Sequence, residues 1–185
     1  MELVHPIKNK KTIEEFKEVL KRKNYKYYMF AVVAFNTGMR AGDIIPLKVK
    51  DVKNKTHIYL REQKTSKIKY FPINPSMRQE IEKYVKYMND DDYLFPSRQR
   101  NSKGKKSHIS RTQAYRYTKK VAISLGIKDF GLHSFRKTFG YFYYKRTKDI
   151  ATLMEIFNHS SQKITKRYIG MTQDQIDESL KDFFL

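Results

Sequence analysis

TGMRAGDIIPLKVKDV, residues 37–52, is the stretch in which the chain passes from helix to sheet, and its reading decides the fold. Upstream, Tyr25 to Thr37 is apolar over much of its length and predicts a helix. Gly38 closes that helix, because glycine takes the left-handed conformation of a helix end without a Cβ penalty. Arg40 follows at once, with Asp43 three residues on, and a short helix from Ala41 ends near Pro46. After Asp51 the pattern changes. His57–Leu60 and Ile68–Ile73 are short, β-rich stretches flanking the polar turn EQKTSK, and together they predict a hairpin.

Outside this stretch the periodicity is helical. Thr12 and Glu15 have capping-box spacing, and Ile13, Phe16, Val19 and Leu20 then fall on one helical face. Asn74-Pro75 opens another helix, with Met77, Ile81, Tyr84, Val85 and Met88 on its apolar side. A helix from about Ser110 to Leu125 is closed by Gly126, and further helices are expected over 134–146, 149–157, 161–168 and 173–184. In the last of these, Thr172 and Gln175 repeat the capping-box spacing, and Ile176, Leu180, Phe183 and Phe184 form an apolar stripe. The expected fold class is mainly α with a small antiparallel β-sheet, an α+β domain, and 1–185 reads as a single unit.

Charge narrows the function. Lys and Arg number 39 against 19 Asp and Glu, a net charge of +20 that repels itself in the compact state and suits a polyanionic partner. Residues 97–120 hold nine Lys or Arg and no acid: Arg98, Arg100, Lys103, Lys105, Lys106, Arg111, Arg116, Lys119 and Lys120. A charge run is usually a solvated face, but in a chain this basic it reads as a surface that tracks phosphates, with the last four on one helix. Zero cysteines exclude a disulfide framework, Cys-ligated zinc and a thiol nucleophile. No run of 18 apolar residues suggests a membrane span, and MELVHPIKNKK lacks the apolar stretch of a signal peptide. A cytoplasmic, bacterial or phage-encoded protein with no membrane partner is expected.

Individually, the remaining polar motifs are weak. His133 and Arg136 lie three apart on one helical face, a spacing that surface pairs also show. Tyr168 follows His159 by nine residues in NHSSQKITKRYIG, and a tyrosine near a helix end is ordinarily a packed ring, although a phenol is one of the few nucleophiles left without cysteine. Tyr141, Tyr143 and Tyr144 read as packing, and His5, His57 and His108 match no motif. The order carries the signal. GMRAGD, Lys64 in the hairpin turn, HSFR, NHSS and RYIG, in that succession, resemble the tyrosine recombinase family of phage integrases over about Thr12 to Gly170, the family's catalytic domain.

The resemblance implies a site-specific recombinase that cleaves and rejoins DNA through a 3′-phosphotyrosyl intermediate. It assigns Arg40, Lys64, His133, Arg136, His159 and Tyr168 as catalytic and Asp43 as an accessory acid. Lys64 stands eight residues before Pro72, a register that favours it over Lys67 and Lys69. Asn158 stands where relatives have glycine, and Lys137 follows Arg136 where many have histidine. No metal and no cofactor are implied. Partners are double-stranded DNA with paired recombination sites and further copies of the chain, as dimer and tetramer on DNA; the apolar stripe of the tail over 172–185 fits either packing on its own domain or, as the resemblance implies, exchange between protomers. No separate N-terminal DNA-clamp domain is expected within 1–185, which fits a short protein such as the fimbrial inversion recombinases and a trimmed catalytic domain alike. The alternative is a non-catalytic DNA-binding regulator built on the same fold.

Overall fold

The computed structural model describes residues 4–61, 68–100, 104–171, 178 and 180–184. In chain order these form α1 (Lys10–Lys23), α2 (Tyr25–Thr37), α3 (Ala41–Ile44), β1 (His57–Arg61), β2 (Ile68–Pro72), α4 (Pro75–Val85), α5 (Arg111–Ser124), α6 (Leu132–Thr147), α7 (Ile150–Phe157) and α8 (Gln162–Ile169). β1 and β2 pair antiparallel with His57 opposite Pro72 and Arg61 opposite Ile68, so the architecture is mainly helical with one two-stranded sheet. The hairpin turn, Lys64 included, the greater part of the expected helix over 173–184, and Lys103 lie outside the described residues.

Local chemistry explains most of the boundaries. Gly38 ends α2 at φ +63°, where L-residues are strained, and a Cβ there would also come within 2.3 Å of the Phe139 ring. Asn74 caps α4 by accepting from the Met77 N–H at 2.8 Å, with Pro75 at the first helical position. Ser110 and Gln113 form a reciprocal capping box on α5. The expected box at Thr12 is not the start of α1. Asn9 caps that helix three residues earlier, its Oδ1 accepting from the Lys11 and Thr12 N–H groups at 2.8 and 3.4 Å. A residue already inside the first turn cannot serve as its cap.

Two apolar clusters share one helix. α2 is buried on nearly all sides from Tyr27 to Ala34, which makes it the central helix of the larger cluster. There Phe135 of α6 is surrounded by Phe16, Phe30, Phe35 and Phe130, with ring centroids 4.7–5.9 Å away. The smaller cluster joins Tyr141 and Tyr144 of α6 to Leu153 and Phe157 of α7 and to Ile169 and Met171 at the end of α8. Gly140 sits where α6 meets both: a Cβ there would lie 2.7 Å from Phe157 and from Ile169.

Gly140→Ala therefore tests this crossing. Alanine favours a helix interior by about 1 kcal/mol over glycine, but overpacking of a core contact costs about 1–3 kcal/mol. The expected net result in urea unfolding is a loss of up to about 2 kcal/mol. A gain in stability would show that the helices do not meet at Gly140.

Candidate active site

Arg136 organises the site. Its neighbour Phe135 is locked in the aromatic cluster, and one helical step, about 100° around α6, turns Arg136 away from it. There it is 3% exposed, donates from Nη1 to the Gly38 carbonyl, and lays its guanidinium 4.3 Å from the centre of the Phe157 ring. A guanidinium keeps its charge when buried, so it needs acceptors and π-faces of this kind. Arg40, two residues beyond Gly38 at the N-terminal end of α3, is half-buried. Arg40 Nη1 and Arg136 Nη2 are both buried atoms.

The histidines and the tyrosine come from three further turns. His133 is in the first turn of α6, one turn before Arg136. α7 ends at Asn158, which adopts the left-handed conformation at φ +52°, and the His159 N–H returns to the Met154 carbonyl at 2.9 Å. Asparagine tolerates that conformation best after glycine, so the turn is kept. Tyr168 lies in the last turn of α8, where Ile169 is fully buried and Gly170 supplies the cap. The Tyr168 hydroxyl is 3.4 Å from His133 Nδ1, and its ring packs 5.0 Å from His159 and 5.4 Å from Phe157.

Charge at this junction is one-sided. Withdrawal from water lowers the pKa of His133, reinforced by Arg136, Arg111, Lys137 and Arg40. The same cause, with Arg136, Arg40 and Lys69, lowers that of His159. Burial pushes the Tyr168 phenol up, while the Arg136 and Arg40 charges and a hydrogen bond with Arg136 pull it down. With both pKa values held below the usual 6.5, the neutral imidazole predominates at pH 7. His159 Nδ1 is 3.1 Å from Thr165 Oγ1, and that hydroxyl donates to the Ser161 carbonyl at 3.0 Å. Thr165 therefore accepts from the His159 Nδ1–H, and Nε2 is left as a lone pair.

The other expected residues divide. Asp43 is buried beside the hairpin, lining a cleft with Tyr59, Leu60 and Arg61 of β1. Lys69 of β2 donates to the Glu155 and Ile156 carbonyls, the latter at 2.8 Å, and so holds the C-terminal end of α7 against the sheet. In the basic stretch, Arg98, Lys105, Arg111, Arg116 and Lys120 are exposed. Lys119 instead reaches the Phe130 carbonyl at 3.1 Å, Arg100 bonds the Gly104 carbonyl at 2.8 Å, and Lys106 pairs with Asp92 at 3.5 Å. Phe157, Thr165 and Lys69 support the site, and no sequence motif marked them as doing so. Among the described residues no three His, Asp or Glu side chains gather as a metal-ligand set, and no helix is long and apolar enough to cross a membrane.

Comparison with known proteins identifies the family and the fold. The model of the phage integrase family matches residues 8–175. A probable integrase/recombinase, YoeC of Bacillus subtilis, is 43% identical over 99% of this chain and 98% of its own. Tyrosine recombinase XerA of Pyrococcus horikoshii is 26% identical over 92% of this chain and 59% of its own length, so the chain spans little more than half of that relative. Among solved structures, XerA recombinase superposes with a TM-score of 0.77 at 21% identity, over 97% of this chain and 63% of that one. A lambda integrase dimer bound to a COC′ core site gives 0.69 at 15% identity, over 91% and 49%. At such identities the superpositions show a shared fold.

The lowered histidines set a pH dependence. For a base whose folded pKa lies below its unfolded value, the folded state binds fewer protons, so stability falls as pH drops below the ordinary 6.5. NMR titration of the free protein should give midpoints below 6.5 for both His133 and His159. A midpoint at or above that value for either ring would separate it from the two guanidiniums.

Proposed function

The chain belongs to the phage integrase family, and from that premise we propose that it is a site-specific DNA recombinase that cleaves and rejoins strands through Tyr168. The observation that carries the reading is the convergence of Arg40, Arg136, His133 and His159, drawn from three separate segments, on one phenol. Two guanidiniums can hold the non-bridging oxygens of a phosphodiester through paired hydrogen bonds as negative charge builds on them. A preorganised donor of this kind lowers the barrier by about 3 kcal/mol.

In this mechanism the phenol must first lose its proton. A free tyrosine, with a pKa near 10, is ionised in only about one molecule in a thousand at pH 7. His133, neutral and 3.4 Å from the hydroxyl, is the acceptor. The Tyr168 oxygen attacks phosphorus, the bond to the 5′-oxygen breaks, and a 3′-phosphotyrosyl bond and a 5′-hydroxyl result. Lys64 gives the leaving oxygen its proton, and the commitment of Lys69 to the end of α7 supports Lys64 in that role. An arriving phosphate raises the pKa of His159, and the imidazolium then donates from Nε2 while Nδ1–H stays on Thr165. Asp43 acts as a structural partner on the hairpin side. Because the phosphotyrosine conserves the bond energy, rejoining needs no nucleotide cofactor.

The partner is double-stranded DNA with paired sites. The exposed face of α5 with Arg111, Arg116 and Lys120, and the loop before it with Arg98 and Lys105, supports a phosphate-tracking surface. A related structure, XerH, is described as bound to its palindromic difH substrate after cleavage. Leu180, Phe183 and Phe184 are 56%, 64% and 95% exposed, which suits a tail that docks on a second protomer as dimers and tetramers form on DNA.

Tyr168→Phe should bind cognate DNA within about twofold of the parent yet form no covalent adduct on a nicked suicide duplex, read on a denaturing gel. Adduct formation by that variant would move the nucleophile elsewhere, and its absence from the parent would favour the regulator. Lys64→Ala should slow cleavage by about 10²-fold or more. Sulfur at the 5′-bridging position should restore much of the rate, because a thiolate leaves without a proton. If sulfur gives no rescue, Lys64 is not the acid.

A further inference from the structure

Residues 4–8 run along α6 as a strap, fastened by two backbone N–H groups and by one side chain that reaches the site. The His5 N–H donates to the Asp129 carbonyl at 3.0 Å, just before α6, and the Ile7 N–H donates to Thr138 Oγ1 at 2.8 Å. Ile7 is buried at 6% exposure. The strap also fits two glycines closely: a Cβ on Gly131 would lie 3.0 Å from Val4 Cγ1, and one on Gly170, the cap of the Tyr168 helix, 3.5 Å from Pro6 Cγ. The third anchor is a side chain. Lys137 Nζ donates to the Val4 carbonyl at 2.7 Å and stands 5.2 Å from the centre of the Tyr168 ring.

We infer that Lys137, held by the Val4 carbonyl of this strap, is a positioning residue for the Tyr168 ring. The inference rests on Tyr168 being the nucleophile. A lysine left to itself moves freely on four methylenes, but one whose ammonium is fixed to a backbone carbonyl is a rigid post. A cation over a π-face attracts the ring and resists its rotation. His159 and Phe157 meet the same ring at interplanar angles of 77° and 73°, so with Lys137 over its face the phenol is held from three sides. Partial burial lowers the pKa of Lys137 itself, and its charge is among those that hold down His133. The strap thus makes the orientation of Tyr168 depend on the first residues of the chain.

The test uses Lys137→Met, Lys137→Arg and a deletion of residues 2–5, which removes the Val4 carbonyl and keeps Ile7. Lys137→Met should cut single-turnover adduct formation on the nicked duplex by about 10-fold or more while the DNA Kd stays within about twofold. Lys137→Arg should recover most of the rate. The deletion should reproduce the loss and add little to Lys137→Met, because both remove one unit. A parallel readout needs no turnover. The phenol faces Arg40, Arg136, His133, His159 and Lys137. In protein labelled with ¹³Cζ-tyrosine, the Tyr168 resonance at pH 7, identified by its absence in Tyr168→Phe, should shift once Lys137 is Met and return toward the parent position in Lys137→Arg. An unmoved Tyr168 resonance overturns the inference, as does a Kd that weakens with a salt slope smaller by about one, which would make Lys137 a phosphate contact. Failure of the parent to form an adduct would strike at the role of Tyr168, and the resonance would still decide whether Lys137 holds its ring.

Discussion

A buried guanidinium cannot shed its proton, so the structure around it must supply acceptors and aromatic faces in fixed places. Arg136 imposes that requirement here. It ties the end of α2 through the Gly38 carbonyl, the end of α7 through the Phe157 ring, and the end of α8 through Tyr168. Three helix ends that are far apart in sequence are fastened to one side chain. Burial, reinforced by this positive charge and that of Arg40, lowers the pKa of both histidines, and the same two charges oppose the upward push of burial on the phenol. A junction poised this way gains most when an anion enters it, which supports the reading as a phosphodiester centre.

α6 makes the junction possible because it belongs to both apolar clusters. Phe135 anchors its first turns in the larger one, Tyr141 and Tyr144 anchor its second half in the smaller one, and Gly140 lets α7 and α8 close on it. The side of α6 between these anchors carries His133 and Arg136. The two clusters therefore set the distance between the arginines and Tyr168. Lys69 adds a brace from the sheet, seating the end of α7 that precedes His159.

Much of this was legible in the sequence where chemistry is local. α2 with its Gly38 cap, the hairpin, the Asn74-Pro75 start of α4 and the Asn158 turn each follow from a residue whose conformational preference is strong. The start of α1 was not, because Asn9 and Thr12 are both good caps and only tertiary placement selects between them. The hairpin lysines look alike in sequence, and only the fold, which brings the end of α7 within reach of β2, commits Lys69 to the backbone. The basic stretch shows the same limit: composition treats its nine cations as equivalent, whereas the fold uses Lys119 to brace the Phe130 carbonyl. Phe157 and Thr165 act through contacts that no short motif encodes. Lys137 stood out as a departure from the family pattern, and its bond to Val4 gives that departure a physical role.

The chain contains 14 tyrosines, and all the chemistry proposed rests on one of them. The most direct measurement is to trap the protein on a nicked suicide duplex, digest it with trypsin and a nuclease, and sequence the nucleotide-bearing peptide by mass spectrometry. The expected result is a single modified peptide with the added phosphonucleotide on Tyr168. Modification of Tyr141, Tyr143, Tyr144 or any other residue, or no modified peptide from repeated trials with cognate DNA, would contradict it.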